Sequence, residues 1–160
     1  MTASEFDTAE WHPNLRKMLA YWRSIHPPVG LPGRRHLDAL AIPKELLPGV
    51  WLLDVQREPF RLRYRLVGTE IIQAIGREVT GQWLDEAHPH ITDDADFFAR
   101  YRRSIETGEP SQRRGRARLW INRDYREVEN IILPLASDGR TVDMLLLYTY
   151  LHRAGLETEE

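Results

Sequence analysis

Residues 61–89 read RLRYRLVGTEIIQAIGREVTGQWLDEAHP. The stretch opens as a strand in which Arg61, Arg63 and Arg65 alternate with Leu62, Tyr64 and Leu66, giving one cationic and one apolar face. Three glycines follow, Gly68, Gly76 and Gly81. A phosphate loop needs glycines packed closely ahead of a Lys-Ser/Thr pair, so that successive N–H groups converge on one anion; no lysine follows any of these. Nor do they form GxGxxG, whose tight turn stands directly after its strand. They read instead as punctuation: Gly68 ends the strand, Gly76 ends a short helix over TEIIQAI (69–75), and Gly81 turns a loop.

Upstream, VWLLDVQ (50–56) supplies a second strand, separated from the first by REPF and preceded by a short turn at IPKELLPG. Further back, Trp11, Leu15, Met18, Leu19, Trp22 and Ile25 recur at three and four between Thr8 and His26, the spacing of one helical face, with Pro13 in the first turn. The prolines and glycines of HPPVGLPGRR (26–35) then forbid continued helix.

Downstream, Thr92 is placed to cap a helix with Asp93, Asp94 and Asp96 in its first turn and Arg100, Arg102 and Arg103 later, complementing the helix dipole. Phe97, Phe98, Tyr101 and Ile105 form its apolar face, and Gly108 with Pro110 stops it. Three strands follow, SQRRGRARLWI, REVENIILPLA and TVDMLLLYTYLH, joined by NRDY and SDGR. With residues 122–125 as the first loop, Arg118 falls opposite Glu129 and Leu119 opposite Val128. MLLLYTYL is apolar on both faces, which marks a central strand covered on each side.

At 160 residues, 42% hydrophobic and with five Trp, six Tyr and four Phe, the chain suits one folded domain. No segment approaches the roughly 20 apolar residues of a membrane helix, and MTASEFDTAEW lacks signal-peptide regions, so a cytoplasmic protein is expected. The absence of cysteine excludes disulfides, thiolate zinc sites, cysteine nucleophiles and cysteinyl-flavin photochemistry. A net charge of -2 provides no global field for nucleic acid.

The element order, together with FRLRYRLVGTEI (60–71) and GREVTGQWLDEAHP (76–89), resembles the PAS domain. RRHLDALAIPKELLPGVWLLDV (34–55) resembles a bacterial family of small stand-alone PAS-like proteins, mostly of unassigned function. The resemblance covers about residues 34–151. It implies an α+β fold: a five-stranded antiparallel sheet with short helices and one longer helix on one face, plus an N-terminal flanking amphipathic helix. The matching organisation is 1–33 for helix and Pro/Gly linker, 34–153 for the PAS-like domain, and 154–160 for a tail.

By the same resemblance, the expected function is a sensory or signalling module that binds a small molecule in its pocket, or a protein partner. The alternative is a ligand-free interaction scaffold. With no output domain after Glu160, a signal is expected to leave through a partner or a dimer interface. PAS domains dimerise through flanking helices, which assigns Trp11, Leu15, Met18, Leu19 and Trp22 to a homodimer interface. The expected pocket lining, under the helix from Thr92 to Thr107, is Tyr64, Ile72, Trp83, Phe97, Tyr101 and Leu146. A slip of one residue in any strand exchanges such a set.

Other chemistries have weaker support. His88 and His90, with Asp85, Glu86, Asp93 and Asp94, are the candidate metal ligands, yet i,i+2 histidines lack the helical spacing of familiar zinc motifs and no metal is expected. By resemblance to haem-binding PAS domains, either histidine also suits a haem; haem and noncovalent flavin stay open but unfavoured, and the cofactor is unknown. Arg113, Arg114, Arg116 and Arg118, with Arg61, Arg63, Arg65 and Trp120, would make a nucleic-acid face, but Glu127 and Glu129 counter it. An enzyme would recruit Asp85, Glu86, His88 or Tyr101 as acid and base; no paired motif supports one, and none is expected.

Overall fold

The computed structural model describes residues 7–119 and 125–153. Helix α1 (Pro13–Ser24) is followed by short 3₁₀ turns, strands β1 (Val50–Gln56) and β2 (Arg61–Val67), and helices α2 (Thr69–Ile75), α3 (Leu84–Ala87) and α4 (Ala95–Thr107). Strands β3 (Ser111–Arg116), β4 (Tyr125–Leu135) and β5 (Met144–Arg153) complete the chain. The five strands form one antiparallel sheet in the order β2-β1-β5-β4-β3, which puts the doubly apolar MLLLYTYL at its centre. Among the described residues no helix is long and apolar enough to cross a membrane.

Alternation along the strands divides the interior into two cores. Leu53, Leu145, Leu147 and Ile132 face α2, α3 and α4, together with Trp51 and Tyr64. Leu52, Leu146, Ile131 and Leu133 face the other way and are covered by α1 through Leu15, Met18, Leu19 and Trp22. Trp22 also donates its indole N–H to the Pro134 carbonyl at 2.9 Å. The stripe that the dimer expectation used is taken up within the chain: Trp11, Leu15, Met18, Leu19 and Trp22 are all 9% exposed or less. A helical apolar stripe reads the same whether it meets its own sheet or a second copy, and here its own sheet takes it.

Three local expectations are corrected. The helix cap is Asp94, whose Oδ1 accepts from the Phe97 N–H at 3.0 Å, while Thr92 has right-handed helical dihedrals at the end of a 3₁₀ turn. Strand β3 stops at Arg116, and its register sets Arg114 opposite Glu129 and Gly115 opposite Val128, four residues from the expected pairing. The expected NRDY loop lies mostly outside the described residues, as does Trp120, and Tyr125 already belongs to β4.

The opening glycines behave as punctuation. Gly76 ends α2 at φ 89°, the left-handed conformation that a side chain disfavours. Gly68 has an ordinary φ of -67° but a crowded position: a Cβ there would sit 2.3 Å from the Pro48 carbonyl oxygen and 2.8 Å from that of Leu47. Gly68→Ala is therefore expected to cost about 1–3 kcal/mol through forced backbone movement. A lowered urea midpoint with unchanged m-value would show it; an unchanged midpoint would contradict the close approach.

Candidate functional site

Helix α4 lies over the inner sheet face, and between them is a cavity of about 60 Å³. Its apolar walls are Trp51, Phe97, Tyr101, Ala117, Leu119 and Val128. Its polar lining is Asp96, Arg100, Arg113, Arg118, Asn130 and Thr149.

Arg100 is the centre of this lining. Phe97, Tyr101, Ser104 and Ile105 are the buried residues of α4, and Arg100 falls on the same face at helical spacing. Its Nε donates to Ser111 Oγ at 2.8 Å, and its two terminal nitrogens donate to Asn130 Oδ1 (2.8 Å), Ser111 O (2.8 Å) and Asn130 O (3.0 Å). All these partners are neutral. Burial, opposed in part by the Tyr101 phenol and reinforced by the Arg113 cation, lowers the Arg100 pKa to about 10. Burial also lowers that of Arg113, again with help from a neighbouring cation, Arg118.

The network continues across the sheet. Asn130 Nδ2 donates to Thr149 Oγ1 at 2.8 Å, and the same hydroxyl oxygen accepts the Trp51 indole N–H at 3.0 Å. One polar chain thus links α4, β4, β5 and β1, and Trp51 and Thr149 are each 1% exposed. On the opposite face of β5, the Tyr148 hydroxyl accepts from Asn14 Nδ2 of α1 at 3.0 Å.

Of the residues expected to line a pocket, the structure brings Phe97 and Tyr101 to this cavity. The others are placed elsewhere. Tyr64 is fully buried behind Trp51, with ring centroids 5.8 Å apart, and its hydroxyl meets His88 Nε2 at 2.8 Å. Ile72 is half-buried, and its neighbour Ile71 takes the core position on α2. Trp83 stands at the sheet edge, half-buried, with the Arg61 guanidinium 4.3 Å and that of Arg63 5.4 Å from its ring centre. Leu146 points to the α1 side, because inward and outward residues alternate along β5 and Leu145 and Leu147 take the inner face. Arg100, Asn130 and Thr149 were missed as site residues. The signal for Arg100 was there, a charged residue on the apolar stripe of its helix.

The metal candidates are engaged otherwise. His88 is 4% exposed and held by Tyr64, while His90 Nε2 meets the Arg118 carbonyl at 2.6 Å. Among the described residues no group of three or more histidine and acidic side chains is arranged to hold a metal ion. Haem and flavin meet a different obstacle. The cavity has less than half the roughly 150 Å³ that accepts a benzene, so neither ring system fits it as formed.

Most of the arginines considered for a nucleic-acid face are paired in place. Arg61 pairs with Asp85 (2.9 Å) and Glu86 (3.0 Å), and Arg63 and Arg65 pair with Asp54 at 3.4 and 3.1 Å. Arg114 pairs with Glu127, and Arg118 with Asp94. Glu129 is buried on the α1 side of the sheet, where it accepts from the His12 N–H at 3.1 Å and meets His152 Nε2 at 3.0 Å. Isolated exposed pairs of this kind contribute little stability, and each reduces the local field of its arginine.

No curated protein matches the chain. Among solved structures it is similar to a fungal LOV domain photoreceptor, described as part of a pathway integrating blue-light and oxidative stress, with a TM-score of 0.50. Identity is 14%, over 84% of this chain and 90% of that one, a likeness of fold. The PAS domain family matches residues 10–148, a span that takes in α1 as well as the whole of α2 to α4. The chain therefore belongs to the PAS domain family.

Proposed function

We propose that this PAS domain is a sensory module, not an enzyme, and that it admits a small molecule to the cavity between α4 and the inner sheet face. The observation that carries this reading is the polar chain Arg100–Asn130–Thr149–Trp51, which lies along the cavity and runs through the central strand. A ligand that drew Arg100 away from Asn130 would leave a buried amide oxygen unpaired, at a cost of about 1–3 kcal/mol. That makes the inner face of β5 responsive to occupancy. The outer face of β5 carries α1, so α1 is the element that would report occupancy to a protein partner.

The test is a thermal-shift panel of neutral, cationic and anionic compounds well below benzene in size, of about two to four non-hydrogen atoms. At a hundredfold excess over Kd, a ligand should raise the midpoint by about 5–10 °C. Ala117→Leu, which adds bulk to a half-buried wall of the cavity, should abolish the rise. If no compound shifts the midpoint, or if the rise survives Ala117→Leu, the cavity is not a ligand site. The ligand-free scaffold would then be the better reading, and the small volume of about 60 Å³ is what favours it.

A further inference from the structure

We propose that the molecule this cavity takes is a small carboxylate, held by Arg100 and Arg113 with its short apolar part against Phe97 and Val128. The assignment rests on the sensory reading above and gives it a ligand class. Three arginines, Arg100, Arg113 and Arg118, line one cavity. Among the described residues only Arg118 has a carboxylate partner there, Asp94. Arg100 is satisfied by neutral oxygens alone, and Arg113 donates to the Arg116 carbonyl.

Cations partly withdrawn from water favour an anion beside them, and clustered they raise one another's energy. Four of Arg100's N–H bonds are used, and a guanidinium carries five, so one donor remains for a ligand oxygen. The fork of Arg113, with its one hydrogen bond to the chain, suits the two oxygens of a carboxylate, and the remaining Arg100 N–H would add a single bond to one of them. Asp96 also lines the cavity but is exposed, so it sets a negative charge towards solvent. The walls of Phe97, Tyr101 and Val128 favour a carboxylate with a hydrocarbon stub over inorganic phosphate. A cavity of about 60 Å³ restricts that stub to one or two carbons.

The probe is sodium propionate, titrated calorimetrically into the full chain, with sodium chloride at equal ionic strength, inorganic phosphate and propionamide as controls. Propionate should bind, and the controls should be at least tenfold weaker. Arg113→Gln should weaken propionate at least tenfold. Arg113 is half-buried with a backbone carbonyl as its partner, so that variant keeps its fold. Arg100→Gln should abolish binding; should circular dichroism show it unfolded, Arg113→Gln alone decides. Propionate that binds no better than chloride, or equally well to Arg113→Gln, overturns the assignment. If a neutral or cationic compound in the panel raises the midpoint while propionate does not, the carboxylate assignment falls and the sensory reading stands. If nothing in the panel binds, both fall.

Discussion

Trp22→Ala is expected to destabilise the chain by about 3–5 kcal/mol, a large share of the roughly 5–15 kcal/mol that holds a domain together. Trp22 is 2% exposed beneath α1 and packs among Leu133, Leu135 and Leu146 on the outer face of the sheet. Truncation would open a cavity there and leave the Pro134 carbonyl without the indole N–H that it accepts at 2.9 Å. The loss should appear in denaturant unfolding at every protein concentration, because the contacts lie within one chain. A midpoint that moved with concentration would instead return α1 to a dimer interface.

Acidification should act through His88, the second large effect. Burial, assisted by His90 and Arg77, lowers its pKa from 6.5 to about 4. The neutral ring accepts the Tyr64 hydroxyl at Nε2, leaving the other ring nitrogen to donate to Leu119. Because the folded value lies below the unfolded one, the unfolded chain binds the extra proton over the interval between them. The stabilisation is whole above about pH 6.5 and is lost as pH falls towards 4, some 3 kcal/mol in all and about 2 kcal/mol between pH 7 and 5. His88→Gln, whose amide oxygen also accepts from Tyr64, should flatten the unfolding free energy over that interval. A wild-type slope that persists in His88→Gln would assign the acid sensitivity to the carboxylates instead.

Much of the architecture was legible because it depends on local chemistry. VWLLDVQ and RLRYRLV are strands at the bounds their patterning implies, TEIIQAI is a helix stopped at Gly76, and the doubly apolar MLLLYTYL is the central strand. What was not legible depends on partners distant in sequence. The stripe from Trp11 to Trp22 shows that a face is buried, not against what. The β3–β4 register turned on a loop length that alternation does not specify, and a shift of four residues keeps every side chain on the same face. The site suffered most from this. Aromatic residues mark core and pocket alike, so Tyr64 and Leu146 were assigned with Phe97 and Tyr101, while Arg100 was read as a dipole complement.

The central claim is that a small molecule enters the cavity beside Trp51 and not the α1 side of the sheet. The chain has five tryptophans, so a ¹H–¹⁵N spectrum of the indole groups, assigned by single Trp→Phe substitutions, separates the two faces. Titration with propionate, or with whichever compound of the panel raises the midpoint, should move the Trp51 signal, whose N–H is hydrogen-bonded to Thr149 beside the cavity. Trp22, bonded to Pro134 on the other face, should move far less. A Trp51 signal that stays fixed through saturation, or a Trp22 signal that moves in its place, would contradict a ligand site beneath α4.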